Sequence, residues 1–124
     1  MPTKRKHEPT FKFWLECNGN PILGRGGAQI LRQIEKDGSI TKAAETLGMS
    51  YRFVWNYVHK VEKVLDESIV QSHRGGRTGG GGASLTKLGK SLLTEYDQLD
   101  GYLNKILSRV KSGRQLLEDD VEEV

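Results

Sequence analysis

Cysteine is almost absent from this 124-residue chain: Cys17 stands alone, so no intramolecular disulfide can form, and an intracellular, cytoplasmic setting is expected. Long apolar runs are missing as well. The opening stretch "MPTKRKHEPT" lacks the apolar segment of a signal peptide, and no stretch approaches membrane-spanning length, so no membrane partner is expected. The only histidines, His7, His59 and His73, fall on separate segments. Together with Cys17 they offer neither metal-ligand spacing nor a nucleophile beside a base, which argues against a metal site, a cofactor and an enzymatic activity. Glycine is plentiful, yet "RGGRTGGGG" lacks the Gly-Lys-Ser/Thr ending of an NTPase phosphate loop, and "GRGGAQ" fails the dinucleotide-binding fingerprint.

What the chain does have is length for one domain with one core, and positive charge. Its 19 Lys and Arg exceed its 16 Asp and Glu by three. Five of those acids, Glu118, Asp119, Asp120, Glu122 and Glu123, crowd into the C-terminal "LEDDVEEV"; without them 19 bases face 11 acids, a surplus of +8 on residues 1–117. Such a body suits a polyanionic partner.

Along the chain, residues 1–10 read as a basic flexible arm carrying Lys4, Arg5 and Lys6, with Pro2 and Pro9 as helix breakers. From Phe11 the residues alternate, Phe11, Phe13 and Leu15 on one side and Lys12, Trp14 and Glu16 on the other, as in a half-buried strand. Asn18-Gly19 is a hairpin-turn signal, and Ile22-Leu23 form the return strand, which Pro21 confines to an edge. The glycines of "GRGGAQ" then release the chain into a helix over about Ala28 to Lys36, with Ile30, Leu31 and Ile34 as its core stripe and Asp37-Gly38 as its end. Thr41 is placed to cap a short helix carrying Ala43, Ala44 and Leu47, Gly48 turns the chain, and Ser50 caps the next helix. Val54, Tyr57, Val58, Val61, Val64 and Leu65 recur there at helical spacing, leaving Tyr51, Arg52, Trp55, Asn56, His59 and Lys63 outward. "SIVQSH" and "ASLT" flank the glycine-rich loop as two short strands. Thr86 caps a final helix whose Leu92, Tyr96, Leu99, Leu103, Ile106 and Val110 form a narrow seam suited to another helix, intramolecular or in a second chain; its regularity favours a homodimer contact.

Two helices joined by a tight glycine turn, the second bearing hydrogen-bonding side chains outward, form a helix-turn-helix. In a major groove Arg52 could donate twice to guanine, Asn56 could pair both ways with adenine, and aromatic edges could meet thymine methyls. The competing reading has Tyr51 and Trp55 cover a neighbouring element while Arg52 is a solvated surface charge. The glycine loop, Arg74, Gly75, Gly76, Arg77, Gly79 and Gly80 with its neighbours, reads as a wing contacting phosphates or the minor groove, against the alternative of a surface loop with no role.

The segments "GSITKAAETLGMSYRFVWNYV" and "GGRTGGGGASLT" resemble the N-terminal DNA-binding domain of the molybdate-responsive ModE transcriptional regulators and, more distantly, LysR-type regulators; the likeness runs from about Phe11 to Tyr96. The resemblance implies a winged helix-turn-helix that dimerises through long helices on an inverted-repeat operator. Ser50, Tyr51, Arg52, Trp55, Asn56 and His59 would then be recognition-helix positions, and Arg74 to Gly82 the wing. Molybdate-sensing members carry a C-terminal oxyanion-binding region, whereas this chain stops after the acidic tail, so direct molybdate sensing is not expected and a separate effector-sensing protein is a candidate partner.

The resulting expectation is a mainly α fold with small β hairpins, a winged helix-turn-helix with a long C-terminal dimerisation helix. Its parts are an arm at 1–10, the winged domain with its N-terminal hairpin at 11–86, the dimerisation helix at 87–112 and the acidic tail at 113–124. The expected function is sequence-specific binding of double-stranded DNA as a homodimeric transcriptional regulator. The rivals are a non-specific architectural DNA-coating protein and a protein-interaction module that uses the helix seam.

Overall fold

The computed structural model of the chain describes residues 6–74 and 81–113. They fall into two compact units, Phe13–Tyr96 and a smaller one combining the N-terminal segment with residues from Asp97 onward. The larger unit opens with a hairpin of β1, Leu15–Cys17, and β2, Asn20–Leu23. Asn18 and Gly19 both take positive φ, 50° and 81°, as a tight two-residue hairpin turn requires. Pro21 lies in this two-stranded ladder, where every strand is an edge. The strand expected from Phe11 begins only at Leu15, because β2 ends at Leu23 and offers earlier residues nothing to pair with. Phe13 instead stacks on Tyr96, ring centroids 4.4 Å apart.

Helix α1 runs Arg25–Asp37, three residues earlier than expected, and Gly26 and Gly27 lie inside its first turn. Glycine normally disfavours a helix interior, by about 1 kcal/mol relative to alanine. Gly27 is there for space: a Cβ on it would collide with the end of the Tyr57 ring. That ring reaches across from the third helix to donate a 2.6 Å hydrogen bond to the Ile22 carbonyl. Gly38, at φ 70°, ends α1 by donating its N–H to the Ile34 carbonyl. Helix α2, Ile40–Leu47, starts two residues later with Ser39 as its cap, the Ser39 hydroxyl accepting from the Lys42 N–H at 3.1 Å. Thr41, expected as that cap, lies exposed in the first turn, because α1 and α2 are joined by Gly38 and Ser39 alone. Gly48 turns the chain, and Ser50 caps α3, Tyr51–Leu65, accepting from the Phe53 N–H at 3.0 Å.

The core of this unit lies where α1, α2 and α3 meet. Leu31, Ile34, Ala43, Val54, Val58 and Ile69 are essentially inaccessible to solvent, and each large aliphatic buried in this way stabilises the fold by about 1.5–3 kcal/mol. The small Ala43 and Ala44 let α2 approach its neighbours closely. A second ribbon, β3 (Val70–His73) and β4 (Gly82–Leu85), is antiparallel, pairing Val70 with Leu85 and His73 with Gly82. It is docked by its backbone: Ala83 N–H donates to the Gly38 carbonyl at 2.8 Å, and Leu85 N–H to the Glu35 carboxylate at 3.0 Å. Thr86 caps the last helix, α4 (Lys87–Lys111), accepting from the Gly89 N–H at 3.1 Å while its own hydroxyl donates to the Ser68 carbonyl.

The expected seam on α4 is divided. Leu92 and Tyr96 are buried in the core of the larger unit and are not available to another chain, a correction to the seam as read from spacing; the same heptad-like rhythm serves a helix closing its own domain. Leu99 is exposed, and Leu103, Ile106 and Val110 are partly buried. Residues 6–12, expected in part as a free arm, belong to the same compact unit as the end of α4, with Glu8 3.8 Å from the Lys111 ammonium. Lys4, Arg5 and the acidic tail from Glu118 lie outside the described residues.

Candidate nucleic-acid interface

Helix α3 owes its two-sided character to its sequence. Val54, Val58 and Val61 are buried, and Tyr57, Val64 and Leu65 are partly so. At 3.6 residues per turn the opposite arc must carry Arg52, Asn56, His59 and Lys63, and all four are exposed. Tyr51, Arg52, Trp55 and Asn56 line one open depression of about 410 Å³ on this face. Arg52 and Asn56 are four residues apart, hence neighbours on consecutive turns, and can address adjacent base pairs from one groove.

The other expected positions take more specific roles. Ser50 uses one oxygen lone pair on the Phe53 N–H, and its hydroxyl retains a proton to donate. His59 is folded back on its own helix: Nδ1 lies 2.8 Å from the Trp55 carbonyl, and the ring stacks on the Trp55 indole at 3.6 Å between centroids. Trp55 therefore meets solvent with a flat histidine behind it, 41% exposed. Tyr51 is about half exposed.

Beside α3 stands the ribbon. Arg74 directly follows β3 and is exposed, while Gly75, Gly76, Arg77, Gly79 and Gly80 lie outside the described residues. The ribbon's outer face is polar: His73 Nε2 lies 2.8 Å from the Ser84 hydroxyl, and Gln71 donates to the same oxygen at 3.4 Å. Tyr51 also borders a groove shared with Ser39, Ser72, His73 and Gly82, so the start of α3, the start of α2 and the loop end of the ribbon share one surface. At the junction of α1 and α2, the Asp37 carboxyl is held below its ordinary range, chiefly by the Gln33 amide donating at 3.0 Å and further by the Thr46 hydroxyl at 2.9 Å.

Two residues of this surface escape the sequence pattern. Phe53 is 56% exposed beside the outward arc of α3, a position that periodicity assigns to neither face. Glu62 reaches from α3 to the backbone of the ribbon, accepting from the Ile69 and Val70 N–H groups at 2.8 and 3.2 Å. The only hint in sequence was an acid three residues after His59 on a basic helix face. Among the described residues, no group of three or more His, Cys, Asp and Glu could hold a metal ion, and no helix is long and apolar enough to cross a membrane.

Comparison with known proteins agrees with this geometry. The family model of bacterial regulatory helix-turn-helix proteins, lysR family, matches residues 27–90, which span α1 through the start of α4. The chain is 32% identical over 99 residues to the molybdenum-pterin-binding protein MopA of Rhodobacter capsulatus, covering 80% of this chain and 37% of that protein. It is 35% identical over 82 residues to the transcriptional regulator ModE of Yersinia pestis, covering 66% and 31%. The chain thus spans about a third of the length of these curated relatives. Among solved structures, BenM_DBD in its complex with catB site 1 DNA is similar at a TM-score of 0.51 and 19% identity, over 68% of this chain and 88% of that one. ArgP from Mycobacterium tuberculosis is similar at 0.51 and 21%, over 68% and 29%. These structural likenesses establish the winged-helix fold. With the sequence match across the whole helix-turn-helix and ribbon, the chain belongs to the lysR family of bacterial regulatory helix-turn-helix proteins.

Proposed function

We propose that this chain is a cytoplasmic, sequence-specific, double-stranded-DNA-binding transcriptional regulator that acts as a homodimer on an inverted repeat. The observation that carries the reading is the single exposed face of α3, on which Tyr51, Arg52, Trp55 and Asn56 surround one open depression beside the ribbon that leads to Arg74. In the proposed mode α3 enters the major groove. Arg52 donates its fork of N–H groups to guanine, Asn56 exchanges two hydrogen bonds with adenine, and Tyr51 and Trp55 meet thymine methyls or the sugar wall. Ser50, His59 and the wing, Arg74 to Gly82, contact the flanking backbone, where arginines neutralise phosphates and exposed N–H groups donate hydrogen bonds to them.

For the dimer, the remaining seam of α4, Leu99, Leu103, Ile106 and Val110, is the proposed contact, with Leu92 and Tyr96 excluded by their burial. Twofold symmetry would set the two recognition helices about 34 Å apart, or a multiple, along the duplex. Selection of bound sequences from random duplex DNA tests specificity, symmetry and spacing together. Enrichment of an inverted repeat with half-sites about one helical turn apart is the expected result. Binding without any enriched motif would instead make this a non-specific coating protein.

A further inference from the structure

The Glu62 carboxylate ties the start of the ribbon directly to α3, in addition to the Ala83 and Leu85 bonds that dock the ribbon on α1. Its Oε2 accepts from the N–H groups of Ile69 and Val70, where the first ribbon strand begins, at 2.8 and 3.2 Å. Its Oε1 lies 3.9 Å from Nε2 of His59, the ring that stacks on Trp55. The Glu62 side chain is only 16% exposed, and its two bonds to the strand amides are partly buried. Arg74 stands four residues beyond Val70 along the extended strand, about 13 Å at the usual rise per residue. A tilt of about 15° at the strand's base would carry Arg74 some 3 Å sideways at that lever length. That displacement is as long as a hydrogen bond, enough to lose a phosphate contact.

We propose that Glu62 is a positioning residue for DNA recognition, fixing the angle between wing and recognition helix so that Arg74 and the α3 side chains engage one duplex together. This rests on the DNA-binding reading above. An acid on a DNA-facing helix repels phosphate if it stands alone; here Oε2 is taken up by the two strand amides, while Oε1 faces the ring of His59. Binding through independent helix and wing contacts would need no such tie.

The test is a double-mutant cycle on the duplex recovered by selection, with a scrambled duplex of equal length as control, at one salt concentration. Glu62→Ala and Arg74→Ala are each expected to weaken binding several-fold, and the double variant to fall short of the product of the two losses by about threefold or more, as coupled sites do. Glu62→Gln keeps an oxygen for the two amides and should restore both near-normal affinity and the full Arg74 effect. Glu62→Asp, one methylene shorter with its charge kept, should behave as Glu62→Ala does and serves if that variant does not fold. A purely stabilising Glu62 would lower the melting temperature while its binding loss multiplied cleanly with that of Arg74→Ala, and this result would overturn the proposal. Failure of the unaltered protein to bind duplex DNA would overturn the DNA-binding reading, and this inference with it.

Discussion

Tyr57→Phe removes one oxygen atom from the interior and should be felt in two measurements. The Tyr57 hydroxyl donates to the Ile22 carbonyl at 2.6 Å and ties α3 to the N-terminal hairpin, so its loss takes that donor from the carbonyl. Leaving a buried acceptor unsatisfied costs about 1–3 kcal/mol. For a unit of this size that is a fall in melting temperature of about 4 °C per kcal/mol or more. Burial raises the Tyr57 phenol well above its ordinary pKa of 10.0. In the folded protein it stays protonated while the unfolded chain ionises, so the folded state is penalised as pH rises above 10 and not below it. At pH 11 the unfolded phenol, one unit above its pKa, gains about 1.4 kcal/mol that the folded protein cannot match. Urea unfolding at pH 8 and pH 11 is the assay. The variant should be less stable than the unaltered protein by 1–3 kcal/mol at pH 8, and the difference should shrink by about 1.4 kcal/mol at pH 11. A gap unchanged between the two pH values would mean that the phenol ionises in the folded state, and the buried contact as described would be wrong.

Gly27→Ala should destabilise by about 1–3 kcal/mol in the same unfolding assay, since the added methyl overpacks the Tyr57 ring where an exposed Gly→Ala change in a helix would stabilise. Replacing Arg74 and Arg77 by Ala should flatten the salt dependence of DNA binding by up to about two units of log slope without changing the preferred bases; altered bases would show that the wing reads sequence. Leu99→Asp or Leu103→Asp should shift sedimentation toward monomer at micromolar concentration and weaken DNA binding, although neither residue lies on the proposed DNA surface; a protein already monomeric before substitution would refute the dimer.

The helix-turn-helix was legible in the sequence because its determinants are local. Ser50 ahead of a three-and-four-residue valine rhythm, and glycines at 38 and 48 where the chain takes positive φ, carry the fold in a few residues. Long-range contacts were not legible. The start of α1 at Arg25 depends on a tyrosine thirty residues away that needs the space beside Gly27, and glycine propensity alone points to a later start. The alternation from Phe11 was genuine, but pairing needs a partner strand, and β2 is too short to supply one. Leu92 and Tyr96 obey the same spacing as Leu99 and Leu103, and only the folded chain shows that the first two face their own core. In the candidate site, outward residues of α3 follow from helical period, whereas Glu62 could not be singled out, since its partners are backbone amides that carry no residue signature.

The central claim, that α3 reads base sequence, is tested most directly by measuring Arg52→Ala and Asn56→Ala against the selected duplex and a scrambled duplex at one fixed salt concentration. Each substitution should cost about 1–3 kcal/mol on the selected site, with much smaller losses on scrambled DNA and relaxed preference at particular base pairs. Equal losses on both duplexes would show that Arg52 and Asn56 touch only the backbone, contradicting the recognition role assigned to this helix.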